Sequence, residues 1–294
     1  MKQVRPKKNL GQHFLTDLSI ARRIADTVDA CSDLPVLEVG PGMGVMTQFL
    51  AEKPRPLSVV EIDAESVEYL KNLPQPLRRR GEASPEPCEG KTSPNLSEGG
   101  ESGCTPEGGR FRIIAGDFLR MDLRELFDGG QFVLTGNYPY DISSQIFFKM
   151  LDNRDLIPCC TGMIQHEVAL RMAAQPGSKQ FGILSVLVQA WYDVEYLFQV
   201  PPTVFNPPPK VQSAVIRLTR NAVEHLGCDE QLFRRVVKTT FNQRRKMLRV
   251  SLRQLLPPTA PLFTTHADML TRRPEQLSIA EFVTLTNLVA SSER

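Results

Sequence analysis

The sequence is poor in the residues that build metal centres and cross-linked scaffolds. It holds four histidines, and its six cysteines (Cys31, Cys88, Cys104, Cys159, Cys160 and Cys228) form no CxxC spacing. That argues against a zinc site and against a disulfide framework. No stretch approaches the roughly 18 uninterrupted apolar residues of a membrane span. The basic opening MKQVRPKKNLGQHF lacks the apolar centre of a secretion signal. A cytoplasmic protein with no metal and no membrane partner is expected. Charge of either sign barely prevails: the net balance is +2 over 294 residues, so the total names no partner. The length suits one large domain and a smaller one.

The distribution of charge says more than the total. From Arg234 to Arg253 there are eight Lys or Arg and no acid, and Lys2, Arg5, Lys7 and Lys8 crowd the first eight residues. Two basic zones on a near-neutral chain point to one polyanion-facing surface.

Short apolar runs, VLEVG (36–40), LSVVEID (57–63), FRIIAGD (111–117), QFVLTGN (131–137) and CCTGMIQ (159–165), read as buried strands. Helical stretches near 45–53, 64–72 and 141–152 separate most of them. Strands alternating with helices predict an α/β fold with a mostly parallel sheet covered on both faces. DVEYLFQV and SAVIRLT, joined by a proline-rich link, predict an antiparallel pair at a sheet edge. Thr16 or Asp17 can cap a first helix that carries Ile20, Ile24 and Val28 on one face. From Gly81 to Gly109 the only large aliphatic residue is Leu96. A segment so poor in apolar surface predicts a disordered insertion over 75–109. After Arg220 the pattern turns purely helical, so the chain divides into a sheet domain over 1–220 and a small all-helical domain over 221–294.

Five motifs carry candidate chemistry. In VLEVGPGMG, Gly40, Gly42 and Gly44 follow a strand and precede a helix, where glycine lets backbone turn sharply and approach a ligand. Glu61, 21 positions after Gly40 and ending the next strand, can accept both hydroxyls of a ribose. The spacing is G-x-G-x-G, with Val45 where a dinucleotide fingerprint wants glycine. This favours a mononucleoside ligand such as S-adenosylmethionine over NAD and disfavours a dehydrogenase. Asp117, ending the third strand, reads equally as an acceptor for an adenine amine and as a cap for the MDLRELF helix. Then comes NYPY at 137–140. The side-chain oxygen of Asn137 and the carbonyl of Pro139 are acceptors that can pin an exocyclic amine, and Tyr140 can stack on its ring. The base must be unstacked to reach them. In FNPPPKVQSAV the prolines stiffen an extended loop, and Phe205, exposed by its polar context, can stack on the second face. In FNQRRKMLR, Arg244, Arg245, Lys246 and Arg249 have no acid to pair within their helix, which favours phosphate contact. His166 and Glu167 read as an exposed helix start with no catalytic role.

In this order, GQHFL, EVGPG, VEID, GDF, NYPY, QHEVALRM, FGILSVLVQ, FNPPPKVQSAVIRL and FNQRRKMLR resemble the ribosomal RNA adenine dimethyltransferases, and more specifically their housekeeping branch. The resemblance covers Lys7 to Arg253, interrupted at 75–109. It implies a Rossmann-like class I methyltransferase sheet with a small helical C-terminal domain that helps hold RNA. It further implies S-adenosylmethionine against Gln12, His13, Leu15, Gly40, Gly42, Glu61, Asp117 and Asn137. The target adenine would be held by Asn137, Pro139 and Tyr140, with Phe205 as second stacking residue. The implied reaction is four methyl transfers, two to each of two adjacent adenines near the 3′ end of small-subunit ribosomal RNA, on an assembling subunit; a monomer is assumed.

Two residues depart from the family pattern. His13 stands where Asn is usual, so its cofactor contact runs through backbone or a different donor. Tyr138 stands where Leu is usual and is bulkier, while the acceptor pair is untouched. The rival readings are a large-subunit methyltransferase of the macrolide-resistance type, a DNA adenine methyltransferase, and a non-catalytic assembly or transcription factor on the same fold. FGILSV with FNPPPKVQSAV fits the housekeeping branch, no separate DNA-reading element is present, and intact Glu61, Asp117 and Asn137 argue for catalysis.

Overall fold

Apolar runs closed by turn residues set the strands, and their burial sets the layers. The computed structural model describes Lys7, residues 12–73 and residues 111–292; the insertion expected at 75–109, with Cys88 and Cys104, lies outside the described residues. In chain order the elements are β1 (Phe14–Leu15), α1 (Leu18–Ala25), β2 (Val36–Val39), α2 (Thr47–Leu50), β3 (Leu57–Glu61), α3 (Ala64–Lys71), β4 (Phe111–Ala115), α4 (Leu123–Leu126), β5 (Val133–Asn137), α5 (Ser143–Asp152) and β6 (Cys159–Gln165). These are followed by α6 (His166–Ala173), α7 (Ile183–Gln189), β7 (Tyr192–Val200), β8 (Phe205–Asn206), β9 (Ser213–Arg220), α8 (Glu230–Asn242), α9 (Leu248–Ser251), α10 (Leu262–Thr265), α11 (Ala267–Leu270) and α12 (Ile279–Ser292).

Seven strands form one sheet in the order β4-β3-β2-β5-β6-β9-β7. The first five are mutually parallel and β9 runs antiparallel to β6. Every residue of β2 and β3 is buried, as parallel strands covered on both faces must be. From β2 the chain steps outward to β3 and β4, then returns to lay β5 against the other side of β2. The winding therefore reverses between β2 and β5, and a ligand cleft is expected beyond their carboxyl ends. The runs DVEYLFQV and SAVIRLT are sheet neighbours, with β7 at the edge.

Asp17 caps α1 by accepting from the backbone N–H of Ser19 and Ile20, and Ala21, Ile24, Ala25 and Val28 behind it are fully buried. Close by in this core, Cys31 and Cys159 are disulfide-bonded, with Cα atoms 5.9 Å apart. The scattered spacing argued against such a link; the fold brings together two cysteines 128 positions apart.

Two compact units result: Met1–Glu167 with Tyr196–Thr219, and Val168–Glu195 with Arg220–Arg294. The helical unit thus takes in α7 as well as the C-terminal helices, which a cut after residue 220 separates. Aromatic packing explains the difference: Phe181 meets Phe241 edge-on at 6.3 Å, and Trp191 meets Phe233 at 6.1 Å. Asp229 caps α8 through the N–H of Leu232. The amphipathic helix then buries Leu232, Phe233, Val236, Val237 and Phe241.

Candidate active site

The turn after β2 carries the first half of the site. Gly40, Gly42 and Gly44 all take positive φ, at 69°, 55° and 71°. A Cβ at Gly42 would also stand 3.0 Å from the Phe14 ring, which would have to give way by a few tenths of an ångström. With no side chain in the way, the Gly42 N–H donates to Glu61 Oε2 at 3.0 Å. Glu61, at the end of β3, is 4% exposed, and its Oε1 accepts from the Asp63 N–H at 2.9 Å. Burial raises its pKa, and these two backbone bonds pull the other way. One strand over, Glu38 is buried and accepts from the Thr47 hydroxyl at 2.7 Å. Burial lifts its pKa to about 8, with the Glu61 charge adding to the rise and Thr47 opposing it. Near neutral pH Glu38 is therefore mostly protonated. Asp63 goes the other way: burial raises its pKa, but the Lys7 ammonium at 2.5 Å and the Ser66 hydroxyl at 2.9 Å outweigh it.

Asp117 follows β4. Its Oδ1 accepts from the Leu119 N–H at 2.9 Å, so it caps the tight turn that follows rather than α4. Asp122 caps α4 instead, through the Arg124 N–H.

The NYPY segment supplies the second half. The Asn137 amide nitrogen donates to the backbone carbonyl of His13 at 3.4 Å, which leaves Oδ1 as the acceptor end. The Pro139 carbonyl accepts from the Ile142 N–H at 3.3 Å; a carbonyl has a second lone pair for another donor. Tyr138 turns into the core, where it is 1% exposed. There its ring meets Phe147 edge-on at 5.6 Å and its hydroxyl reaches the Thr161 carbonyl at 3.1 Å. The additional bulk fits because β6 has glycine beneath it: a Cβ at Gly162 would lie 2.7 Å from the Tyr138 ring. Tyr140 is pinned at its rim by a hydrogen bond between its hydroxyl and that of Ser213, a buried residue opening β9. Its ring faces the His13 imidazole, with centroids 5.7 Å apart and planes at 29°.

These segments line one cleft of about 240 Å³ at the switch point. Gln12, His13, Leu15, Gly40, Gly42, Glu61, Asp117, Asn137, Pro139 and Tyr140 all border it. Phe205 does not, which corrects the expectation of an exposed stacking residue. It is 4% exposed and belongs to the hydrophobic core with Leu15, Val200 and Val215. The cause is a long-range pairing: β8 lies antiparallel to β1, with Leu15 opposite Phe205. Sequence reasoning missed Glu38 and Ile62. Ile62 lines the cleft although it is 57% exposed, and an apolar residue directly after the ribose-type acid was the available signal.

In the helical unit the basic run is not one helix. α8 ends at Asn242 and α9 begins at Leu248, so Arg244, Arg245 and Lys246 lie in the turn between them. Arg245, Lys246 and Arg249 are exposed. Arg244 is half-buried: its guanidinium donates to the carbonyls of Ser178 and Lys179 and lies 4.0 Å from Glu275. It pins the 178–179 turn, which corrects its assignment to an open phosphate-binding face.

Among the described residues no group of three His, Cys, Asp or Glu can hold a metal ion, and no helix is long and apolar enough to cross a membrane. The cleft does fit a mononucleoside. Its glycine turn runs through positive φ, a conformation side chains disfavour, a carboxylate ends β3, exposed Ile62 offers an apolar face beside it, and Asn137 ends β5. The fold and cleft define a Rossmann-like methyltransferase that uses S-adenosylmethionine.

The model of the family described as ribosomal RNA adenine dimethylase matches residues 3–80 and 101–291. A protein of Bacteroides fragilis called ribosomal RNA small subunit methyltransferase A is 59% identical over 98% of this chain and 94% of its own length. One of the same name from Flavobacterium johnsoniae is 46% identical over 98% and 97%. Two solved structures share the fold. A dimethyladenosine transferase from Plasmodium falciparum has TM-score 0.71 at 23% identity over 96% of this chain and 98% of that one. The 23S rRNA methyltransferase ErmE has TM-score 0.61 at 24% identity over 94% and 99%. The chain belongs to the ribosomal RNA adenine dimethylase family.

Proposed function

We propose that the protein dimethylates the N6 amines of two adjacent adenosines near the 3′ end of small-subunit ribosomal RNA, acting in the cytoplasm as a monomer on an assembling subunit. The observation that carries this reading is the β5 terminus. There a single turn places an acceptor amide, a carbonyl and an aromatic face on the cleft that also holds Glu61. Full-length relatives named small subunit methyltransferase support the choice of RNA.

Gly40, Gly42, Glu61, Ile62 and Asp117 would hold the nucleoside part of S-adenosylmethionine. Bound there, the sulfonium supplies an electrophilic methyl group. The protein's own task is the acceptor. The lone pair of an adenine amine is delocalised into the ring, so the nitrogen is a poor nucleophile until its two N–H bonds are engaged. Asn137 Oδ1 and the second lone pair of the Pro139 carbonyl can accept both, shifting the nitrogen towards a tetrahedral, more reactive state. Tyr140, fixed at its rim by Ser213, offers the flat face against which an unstacked base is held. No strong general base is needed for transfer from a sulfonium donor. Positioning and charge complementarity supply the rate. The exposed cations Arg245, Lys246 and Arg249 attract RNA phosphate without reading sequence.

The test is transfer of a tritiated methyl group to undermethylated small subunits, large subunits and naked DNA in parallel. Incorporation confined to small subunits, at two adjacent adenosines, is expected. Label in large subunits or DNA instead would overturn the assignment.

A further inference from the structure

Among the basic residues that crowd the start of the chain, Lys7 turns its charge inward. Its ammonium lies 2.5 Å from Asp63 Oδ1 and 3.3 Å from Glu65 Oε1. We propose that Lys7 is a positioning residue for the cofactor, a bridge that joins the Gln12 wall of the cleft to the Glu61 wall and holds the two in register around the ribose. The inference rests on the reading of Glu61 as the ribose acid and adds a residue to that site.

The contacts run in a line around one end of the cleft. The Lys7 N–H donates to Gln12 Oε1 at 3.0 Å, and the Gln12 N–H donates back to the Lys7 carbonyl at 3.4 Å. Gln12 borders the cleft, and with Oε1 engaged its amide keeps Nε2 as the donor end. At the far end of the lysine stem, Asp63 receives the ammonium, and the Asp63 N–H holds Glu61 Oε1 at 2.9 Å. Glu61 Oε2 takes the Gly42 N–H at 3.0 Å. Lys7 and Asp63 do not themselves border the cleft, so their effect passes through Gln12 and Glu61.

Charge explains why a lysine serves here. Asp63 is 4% exposed and sits two positions from Glu61, a second buried acid whose pKa the Asp63 charge helps to raise. A carboxylate so far from water needs a counter-ion, and one at hydrogen-bond distance also fixes its direction. The Ser66 hydroxyl occupies the other Asp63 oxygen at 2.9 Å. With both oxygens held, the turn after β3 is set, and with it the N–H that aims Glu61. Without the ammonium, Asp63 would turn to water or take a proton, and Glu61 would lose that alignment.

The experiment compares Lys7→Met and Lys7→Arg with the unaltered protein by calorimetry, using S-adenosylmethionine and S-adenosylhomocysteine. The fitted stoichiometry reports the folded fraction, so a misfolded variant cannot pass for a weak binder. For Lys7→Met we expect both ligands to bind roughly 3- to 30-fold more weakly, and Lys7→Arg should recover most of the loss. The neutral thioether separates position from charge: removing a cation by itself favours the cationic sulfonium, whereas a lost bridge weakens both ligands. In an Asp63→Asn background, Lys7→Met should cost little more, because the pair is already broken. In methyl transfer, the cofactor concentration needed for half the rate should move more than the saturated rate.

Unchanged affinity in Lys7→Met, a Lys7→Arg variant as weak as Lys7→Met, or an equal further loss in the Asp63→Asn background would each overturn the bridge. So would weaker subunit binding with a reduced salt slope and intact cofactor affinity, which would make Lys7 a phosphate contact. If Glu61→Ala leaves cofactor affinity unchanged, the ribose reading falls, and the bridge with it. A loss in Glu61→Ala without one in Lys7→Met overturns the bridge alone.

Discussion

At the carboxyl ends of β2 and β3 the charged side chains are acids, and they are buried: Glu38 is 1% exposed and Glu61 4%. From the turn after α8 into α9 of the helical unit they are bases, and Arg245, Lys246 and Arg249 stand in solvent. Burial makes each group of the first region specific. Glu61 is oriented by two backbone N–H bonds and Glu38 is mostly neutral, so each offers one defined hydrogen-bonding face. Exposure makes the second region unspecific, because hydrated cations on flexible stems attract any phosphate and are screened by salt. The same contrast holds within the basic run. Arg244, half-buried against two carbonyls and Glu275, has become a structural clamp, while its neighbours stay available. On the proposed function, selectivity and rate belong to the first region and salt-dependent attraction to the second.

Substitutions can break that division. The largest effect is expected at the strand end. Asn137→Ala removes the acceptor aimed at the amine and should lower the methyl-transfer rate by about 10²–10³-fold while subunit binding, measured by filter retention, stays within a factor of two or so. Parallel loss of rate and binding would mean that the cleft also supplies affinity. Next in size, Glu61→Ala should weaken S-adenosylmethionine in calorimetry by roughly 10- to 100-fold. Unchanged cofactor affinity would remove the carboxylate from the ribose site.

In the helical unit the expected change is one of slope. Reversing Arg245, Lys246 and Arg249 to Glu should reduce the salt dependence of subunit binding by roughly one unit per lost contact, with the saturated transfer rate intact. A variant that binds with the unaltered slope would take this turn out of the interface. Arg244→Ala belongs to a different class: thermal melting should register it more than the salt slope does.

A different kind of effect, on stability and not on rate or binding, is a pH dependence. Glu38 is raised from 4.5 to about 8 in the folded protein. Between those values the native state holds a proton that the unfolded chain has released. Stability contributed by this group is therefore present at low pH and lost as pH rises through the window, with a slope of at most ~1.4 kcal/mol per unit. Glu38→Gln should flatten the fall in chemical-denaturation midpoint between about pH 5 and 8. An equally steep profile in the variant would place the titration elsewhere.

How far the sequence could be read depended on whether a feature is local. Strand runs such as VLEV and CCTGMIQ, the glycine turn, Glu61 and the NYPY segment are local patterns, and the structure finds each where its spacing put it. Phe205 could not be judged that way. Its proline-rich neighbourhood looks exposed, and its burial involves pairing with a strand 190 positions upstream, Phe14–Leu15. Arg244 is similar: its partners Ser178 and Glu275 lie far along the chain in either direction. Tyr138 was legible as bulk but not as a fit, because the space it needs is the absence of a side chain at Gly162, on the next strand. The Cys31–Cys159 link also depends on a contact that spacing does not encode.

The central claim is that the acceptor amine lies at the end of β5. It is tested most directly by the crystal structure of the protein with sinefungin and an oligoribonucleotide carrying the target adenosines. The account predicts the purine stacked on Tyr140, its exocyclic nitrogen within hydrogen-bond reach of Asn137 Oδ1 and the Pro139 carbonyl. A purine bound anywhere else, with those two oxygens facing water, would contradict it.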